Sequence, residues 1–208
     1  MFYLLRSLRI IRPKYKTYYN RNILVDINSR HKMNTEKDML HTSQDKIVFY
    51  FAYGSNLSSD RLKINNPSVV KNTIGKLKGY ELSFQGYSDF WKGATANITE
   101  NKSCEVWGTV WQLPENQIIN LDKQEAGYNS IQVRIETIEG KEMLCKTYQM
   151  PEKQINKPST IYKAVIVYGA VEQNLPAEYI NKLRNFEDNG YKGSINISID
   201  INKILTIL

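Results

Sequence analysis

Ile47-Val48-Phe49-Tyr50-Phe51-Ala52-Tyr53-Gly54-Ser55-Asn56-Leu57 decides how this chain reads. An apolar run ends at a glycine, and Ser58-Ser59-Asp60-Arg61-Leu62 then opens a helix-like segment. The stretch is a strand that delivers a small, amide-rich loop to one place. Gly54 can take positive φ without a Cβ penalty, and Ser55 and Asn56 are both good N-caps for the helix that follows. Such a loop aims several backbone N–H groups at one spot, which suits a carboxylate or an oxyanion.

A second block, Leu121-Asp122-Lys123-Gln124-Glu125-Ala126-Gly127-Tyr128, ends a predicted helix and leads into the strand Ile131–Thr137. Together the two blocks resemble the γ-glutamylcyclotransferase family, in which a Tyr-Gly-Ser-Asn loop holds the γ-glutamyl moiety and a glutamate in a Leu-Asp-x-Gln-Glu context acts as the base. The resemblance runs from about Ile47 to about Gly193 and takes in Val106–Trp111, Leu175–Tyr179 and Tyr191-Lys192-Gly193. Several dispersed blocks in one order are far more specific than one motif. The sequence departs from the family pattern in Ala126-Gly127 and in a shorter connection before Tyr128.

The pattern of elements is strand-heavy at first. Ile47–Tyr53, Lys76–Phe84, Ala94–Thr99 and Glu105–Leu113 read as strands, the last alternating Val106, Gly108 and Val110 against Trp107, Thr109 and Trp111. A helix with Pro114 in its first turn is expected through Gln124. Ile131–Ile138 and Met143–Met150 follow as a hairpin across Glu139-Gly140-Lys141-Glu142. Ser159 and Thr160 are cap candidates for Ile161–Val171, whose β-branched content leaves helix and strand open, the family resemblance favouring helix. Pro176 starts a helix through Phe186 with Tyr179, Ile180, Leu183 and Phe186 on one face. This is an α+β class. The resemblance implies its architecture, a γ-glutamylcyclotransferase-like small mixed β-barrel with surrounding helices and the site at its mouth.

The chain has 208 residues, enough for one domain and an extension. Residues 1–40 carry nine Lys/Arg against three acids, whereas the remainder holds 19 against 18. The high pI therefore belongs to residues 1–42, and the domain over 43–208 offers no basic surface for nucleic acid. Met1–Arg12 mixes Leu and Ile with Arg6, Arg9 and Arg12, as a mitochondrial transit peptide does; the alternatives are a disordered tail, or an upstream start with Met33 or Met39 as initiator. Nothing approaches a transmembrane span, and no secretory apolar region is formed. Cytoplasmic localisation is the expectation, or mitochondrial if residues 1–42 are a transit peptide. A homodimer is left open.

Cys104 and Cys145 sit in strand-like runs and read as buried, unpaired thiols. Asn97-Ile98-Thr99 and Asn196-Ile197-Ser198 match the glycosylation sequon by coincidence, without a secretory signal. His31 and His41 both lie before the domain, so histidine triads and histidine zinc sites are excluded from it.

The resemblance implies a small-molecule γ-glutamyl substrate, with no metal and no cofactor. Cyclising a γ-glutamyl amide needs one general base, donors for an oxyanion, and a mould that folds the substrate back on itself. An intramolecular nucleophile held in near-attack geometry can contribute roughly 7–11 kcal/mol, so one carboxylate suffices. Glu125 is the expected base, its pKa lifted by burial beside Tyr128 and tryptophans. Asp122, one helical turn earlier, reads as a solvent-facing or structural acid. Tyr50, Phe51, Ala52, Tyr53, Gly54, Ser55 and Asn56 are the expected substrate-binding stretch, with Tyr128 and Tyr162 closing the sides. The Ser55-Asn56 pair resembles the branch acting on γ-glutamyl amino acids and dipeptides. The γ-glutamylamine branch, the glutathione-specific branch and a low-activity binding or regulatory member are the alternatives.

Overall fold

The apolar run Ile47–Ala52 forms β1, which lies at the seam of a closed barrel. The computed structural model describes residues 46–208, so the readings of residues 1–42 lie outside the described residues. β1 pairs antiparallel with β3 (Gly93–Pro114), β3 with β2 (Val70–Ser88), β2 with β4 (Asn129–Thr137), and β4 with β5 (Glu142–Gln149). β5 then closes the barrel by pairing parallel with β1, Tyr50 opposite Lys146. That one parallel seam makes the barrel mixed and sets the β5 side chains beside those of β1.

Two strands expected over Ala94–Thr99 and Glu105–Leu113 are one, β3, and Lys76–Phe84 is the middle of the longer β2. The polar stretch Asn101-Lys102-Ser103 looks like a break in periodicity. It is instead absorbed where the β2–β3 register shifts between Lys78 and Tyr80, and Asn101 donates to Glu81 across the pair. Pro114 and Pro176 sit just outside their helices rather than in the first turn. Pro114 ends β3 and precedes a 3-10 turn, Glu115–Gln117, that runs into the helix Ile118–Gln124; Pro176 precedes the helix Ala177–Arg184.

The segment that periodicity left open, Thr160–Glu172, is a helix, with Ser159 accepting from the Tyr162 amide as its cap. It is buried almost all round, which erases the amphipathic pattern. Even Lys163 is enclosed, its Nζ 2.7 Å from Asp188 and 3.0 Å from the Phe186 carbonyl. With Ser59–Lys63 as α1, Ile118–Gln124 as α2, Thr160–Glu172 as α3, Ala177–Arg184 as α4 and Ile201–Leu205 as α5, the helices complete the α+β arrangement. Among the described residues no helix is long and apolar enough to cross a membrane.

Two apolar clusters result. The larger joins Phe51, Val106, Val110, Ile135 and Cys145 to Tyr162, Val165 and Ile166 of α3. The smaller lies on the other side of β1 and β3 and gathers Tyr50, Ala52, Trp111, Leu113 and Tyr148 with Leu62 of α1 and Leu121 of α2. Both faces of β3 are thus covered, so Thr109 and Trp111 are as buried as Val106 and Val110. Cys145 is buried, whereas Cys104 is only partly so; both are free. Asn97 is fully enclosed and donates to Gln85 and the Met150 carbonyl, so that sequon is closed to a glycan in the folded chain.

Candidate active site

The loop after β1 is fixed by α3. A Cβ on Gly169 would lie 2.3 Å from the Ser58 amide and 2.5 Å from the Leu57 carbonyl carbon, so only glycine lets α3 press against this loop. A helical glycine costs about 1 kcal/mol relative to alanine, and close seating of the loop is the return. Ser55–Leu57 forms a 3-10 turn, and Ser58 caps α1 by accepting from the Arg61 amide. Ser55 and Asn56, expected as the caps, therefore lie inside the turn, and their amides have no acceptor within it. Gly54 has φ −109°, not positive. What it requires is room: an added Cβ would stand 3.3 Å from Ala96 Cβ and 3.5 Å from the Tyr162 hydroxyl.

Glu125 reaches this loop from the end of α2. Its amide still bonds to the Leu121 carbonyl, and a turn with Gly127 at φ 93° brings the Tyr128 amide back to the Glu125 carbonyl. Part of Glu125 remains accessible, but its carboxyl is sunk between the loop and β1. There Asn56 Nδ2 donates to Oε1 at 2.6 Å. Burial lifts the Glu125 pKa to about 7, against the opposing influence of Arg61, Asn56 and Tyr50, which favour the ionised form.

Asn56 is the hub of the site. Its Nδ2 also donates to the Tyr50 hydroxyl at 3.0 Å, its Oδ1 accepts from Gln124 Nε2 at 2.6 Å, and its carbonyl accepts from Trp111 Nε1 at 3.1 Å. The side-chain amide thus holds the Glu125 carboxylate while it lines the cavity. The Tyr50 hydroxyl accepts from Asn56 and is hydrogen-bonded to the Glu125 carboxyl, whereas Tyr162 accepts from the Ala96 amide at 3.2 Å and has Ser55 as a second partner. Burial holds both hydroxyls protonated, Tyr50 well above the ordinary range and Tyr162 at about 12. The Tyr128 hydroxyl lies 2.8 Å from the Ala96 carbonyl and 2.9 Å from Thr95 Oγ1, and burial raises its pKa as well.

These groups enclose one small cavity, lined by Tyr50, Tyr53, Gly54, Ser55, Asn56, Glu125, Tyr128 and Tyr162, with Ala96 and Tyr148 added. It shares Ser55, Glu125, Tyr128 and Tyr162 with an outer cleft of about 440 Å³. That volume falls in the range of about 300–1,000 Å³ usual for small-molecule sites. Two expected residues do not line the cavity. Phe51 points to the opposite face from Tyr50, into the larger cluster, as strand alternation requires; Ala52 is on the right face but is packed beneath. Tyr53 contributes its ring, while its hydroxyl donates away to the Tyr148 carbonyl.

Sequence reasoning missed Gln124 as the partner of Asn56, Tyr148, Ala96 and Arg61. Tyr148 had a legible signal, since strand parity places it with Lys146 beside β1. Gln124 and Arg61 had none, because each matters only through a contact formed across the loop.

An enclosed carboxylate with a near-neutral pKa, braced by an amide and surrounded by protonated phenols, lies at the edge of a small mixed barrel. The AIG2-like family matches residues 105–183. A Bos taurus protein named gamma-glutamylcyclotransferase is 43% identical over 76% of this chain and 89% of its own length; the Homo sapiens protein of that name is 37% identical over 79% and 91%. A solved structure titled gamma-glutamyl cyclotransferase superposes with a TM-score of 0.73 at 36% identity, covering 77% of this chain and 99% of its own. The chain belongs to the γ-glutamylcyclotransferase family.

Proposed function

We propose that this protein is a γ-glutamylcyclotransferase that converts γ-glutamyl amino acids or dipeptides to 5-oxoproline and a free amino acid, with Glu125 as the base. The observation that carries this reading is the Glu125 carboxyl, enclosed at the wall shared by cavity and cleft with a pKa of about 7. A substrate ammonium gives a proton to that carboxylate, and the freed α-amine attacks the γ-carbonyl. The new C–N bond closes a five-membered ring, and the carbonyl oxygen becomes an oxyanion, for which the Ser55 and Asn56 amides and the Tyr162 hydroxyl are the candidate donors. The ring nitrogen loses a second proton as the original amide C–N bond breaks, and the departing nitrogen gains two. One group must therefore take and return protons in turn. A carboxyl titrating near 7 does both, whereas one at its ordinary value near 4.5 would be too weak a base to take the proton from the ammonium.

The fold supports the assignment of the whole reaction to residues 43–208. Incubating the full chain and residues 43–208 with γ-glutamyl-alanine, glutathione and γ-glutamyl-lysine, and measuring 5-oxoproline, tests both points. Release from γ-glutamyl-alanine at comparable rates by both proteins is the expected result. No release from any of the three would remove the reading.

A further inference from the structure

Arg61 is sunk into the wall of the outer cleft, where it feels the charge of Glu125 and stands beside Trp91 but makes no ion pair with a described acid. It sits in α1, between the Ser58 cap and fully buried Leu62, so its backbone is pinned. Its Nε is buried with no hydrogen-bond partner among the described residues. The guanidinium stands 5.9 Å from the centroid of the Trp91 ring on the cleft wall. Leaving a buried charged donor unsatisfied is costly, and an anion that entered the cleft would remove that cost. A guanidinium suits a carboxylate best, because its paired N–H groups match the two oxygens.

The position of Arg61 identifies which carboxylate. Arg61 lines the outer cleft but not the inner cavity, where the Ser55 and Asn56 amides and the Tyr162 hydroxyl already provide for the glutamyl end. The far end of a γ-glutamyl amino acid is the α-carboxylate of the residue about to leave, beyond the scissile amide. Lys153, exposed at the rim, and Glu125 are the other charged residues lining the cleft, and Tyr87, Phe90, Trp91 and Met150 give an apolar bed for a side chain.

We infer that Arg61 binds the free α-carboxylate of the departing amino acid and so selects γ-glutamyl amino acids over γ-glutamyl amides that lack that charge. The inference rests on the cyclotransferase reading and adds the group that reads the leaving side. Arg61 is a specificity residue here, with no part in the bond changes.

The test compares γ-glutamyl-alanine with γ-glutamyl-alaninamide, which differ only in that carboxylate, at pH 8.5 so that Glu125 is ionised. The unmodified chain should favour the acid by about 10- to 100-fold in kcat/KM, the value of a charge-assisted hydrogen bond, mostly through KM. In Arg61→Met the acid-to-amide ratio should fall to within about threefold of one, and Arg61→Lys should restore part of it. A ratio that is near one in the unmodified chain, or that survives in Arg61→Met, overturns the inference. Calorimetric binding of both compounds to Glu125→Gln, with and without Arg61→Met, separates the two readings. If no 5-oxoproline forms but the acid binds more tightly and Arg61→Met erases the difference, the reaction is wrong and the carboxylate subsite stands. Equal binding, or none, sinks the subsite whatever the turnover.

Discussion

Asp122 and Glu125 stand one turn apart at the end of the same helix, and their surroundings separate them. Asp122 is about half exposed, accepts from the Tyr148 hydroxyl at 2.6 Å and pairs with Lys146 at 2.8 Å. Partial burial would raise its pKa, but those two hydrogen bonds and the lysine charge outweigh it and hold the group below its ordinary value. Glu125, enclosed beside Asn56, is pushed to about 7. The same chemical group at the end of the same helix is held as an anion at one position and titrates near neutrality at the other. Burial against paired charge decides which.

The largest effect should come from Glu125→Gln, which keeps shape and the Asn56 contact but removes the basic lone pair. We expect kcat to fall at least about 10³-fold with the fold intact, against less than a few-fold for Asp122→Asn, read from 5-oxoproline release. Comparable losses in the two variants would break the distinction between the acids.

Next in size, Gly54→Val should lower both turnover and thermal stability, because the added side chain meets Ala96 and the Tyr162 hydroxyl. A loss of about 1–3 kcal/mol in stability, seen in denaturant melts, is the expectation. A fully stable and active variant would mean the loop has slack that this geometry denies.

The pH dependence sharpens the comparison further. On the proposed role of Glu125, the acid limb of kcat/KM should fall near pH 7 and stay there in Asp122→Asn. In stability the two acids have opposite signs. The raised Glu125 value means the folded state holds its proton more tightly, so its contribution is full below about pH 4.5 and is lost as pH rises through about 7. At pH 8 Glu125→Gln should therefore be more stable than the unmodified chain, by at most about 3 kcal/mol.

The smallest effect belongs to Asp122, whose lowered value contributes stability above its unfolded pKa and loses it as pH falls through the folded one. With the carboxylate half exposed, Asp122→Asn should cost under about 1 kcal/mol at neutral pH. A larger loss would show that the Lys146–Asp122–Tyr148 group braces β5 against α2.

Residue order made most of the strands, the hairpin and the loop legible, because alternation and turn residues are local signals, and the family resemblance pointed to Glu125. The loop's chemistry was less so. Gly54 was expected for its φ and is needed for space, and the bond by which Asn56 holds the Glu125 carboxyl was not foreseen. Phe51 was placed in the site by adjacency, although strand parity turns it away.

By itself the sequence determined where the chain must be extended, where it must turn, and which carboxylate follows the Leu-Asp-x-Gln block. Only the tertiary structure decided that β2 and β3 are long continuous strands, that α3 is a helix pressed on the loop at Gly169, and that the buried Arg61 Nε has no hydrogen-bond partner among the described residues. Those outcomes depend on contacts between residues far apart in the chain. So does a pKa, which is set by what surrounds a group and not by the letters beside it.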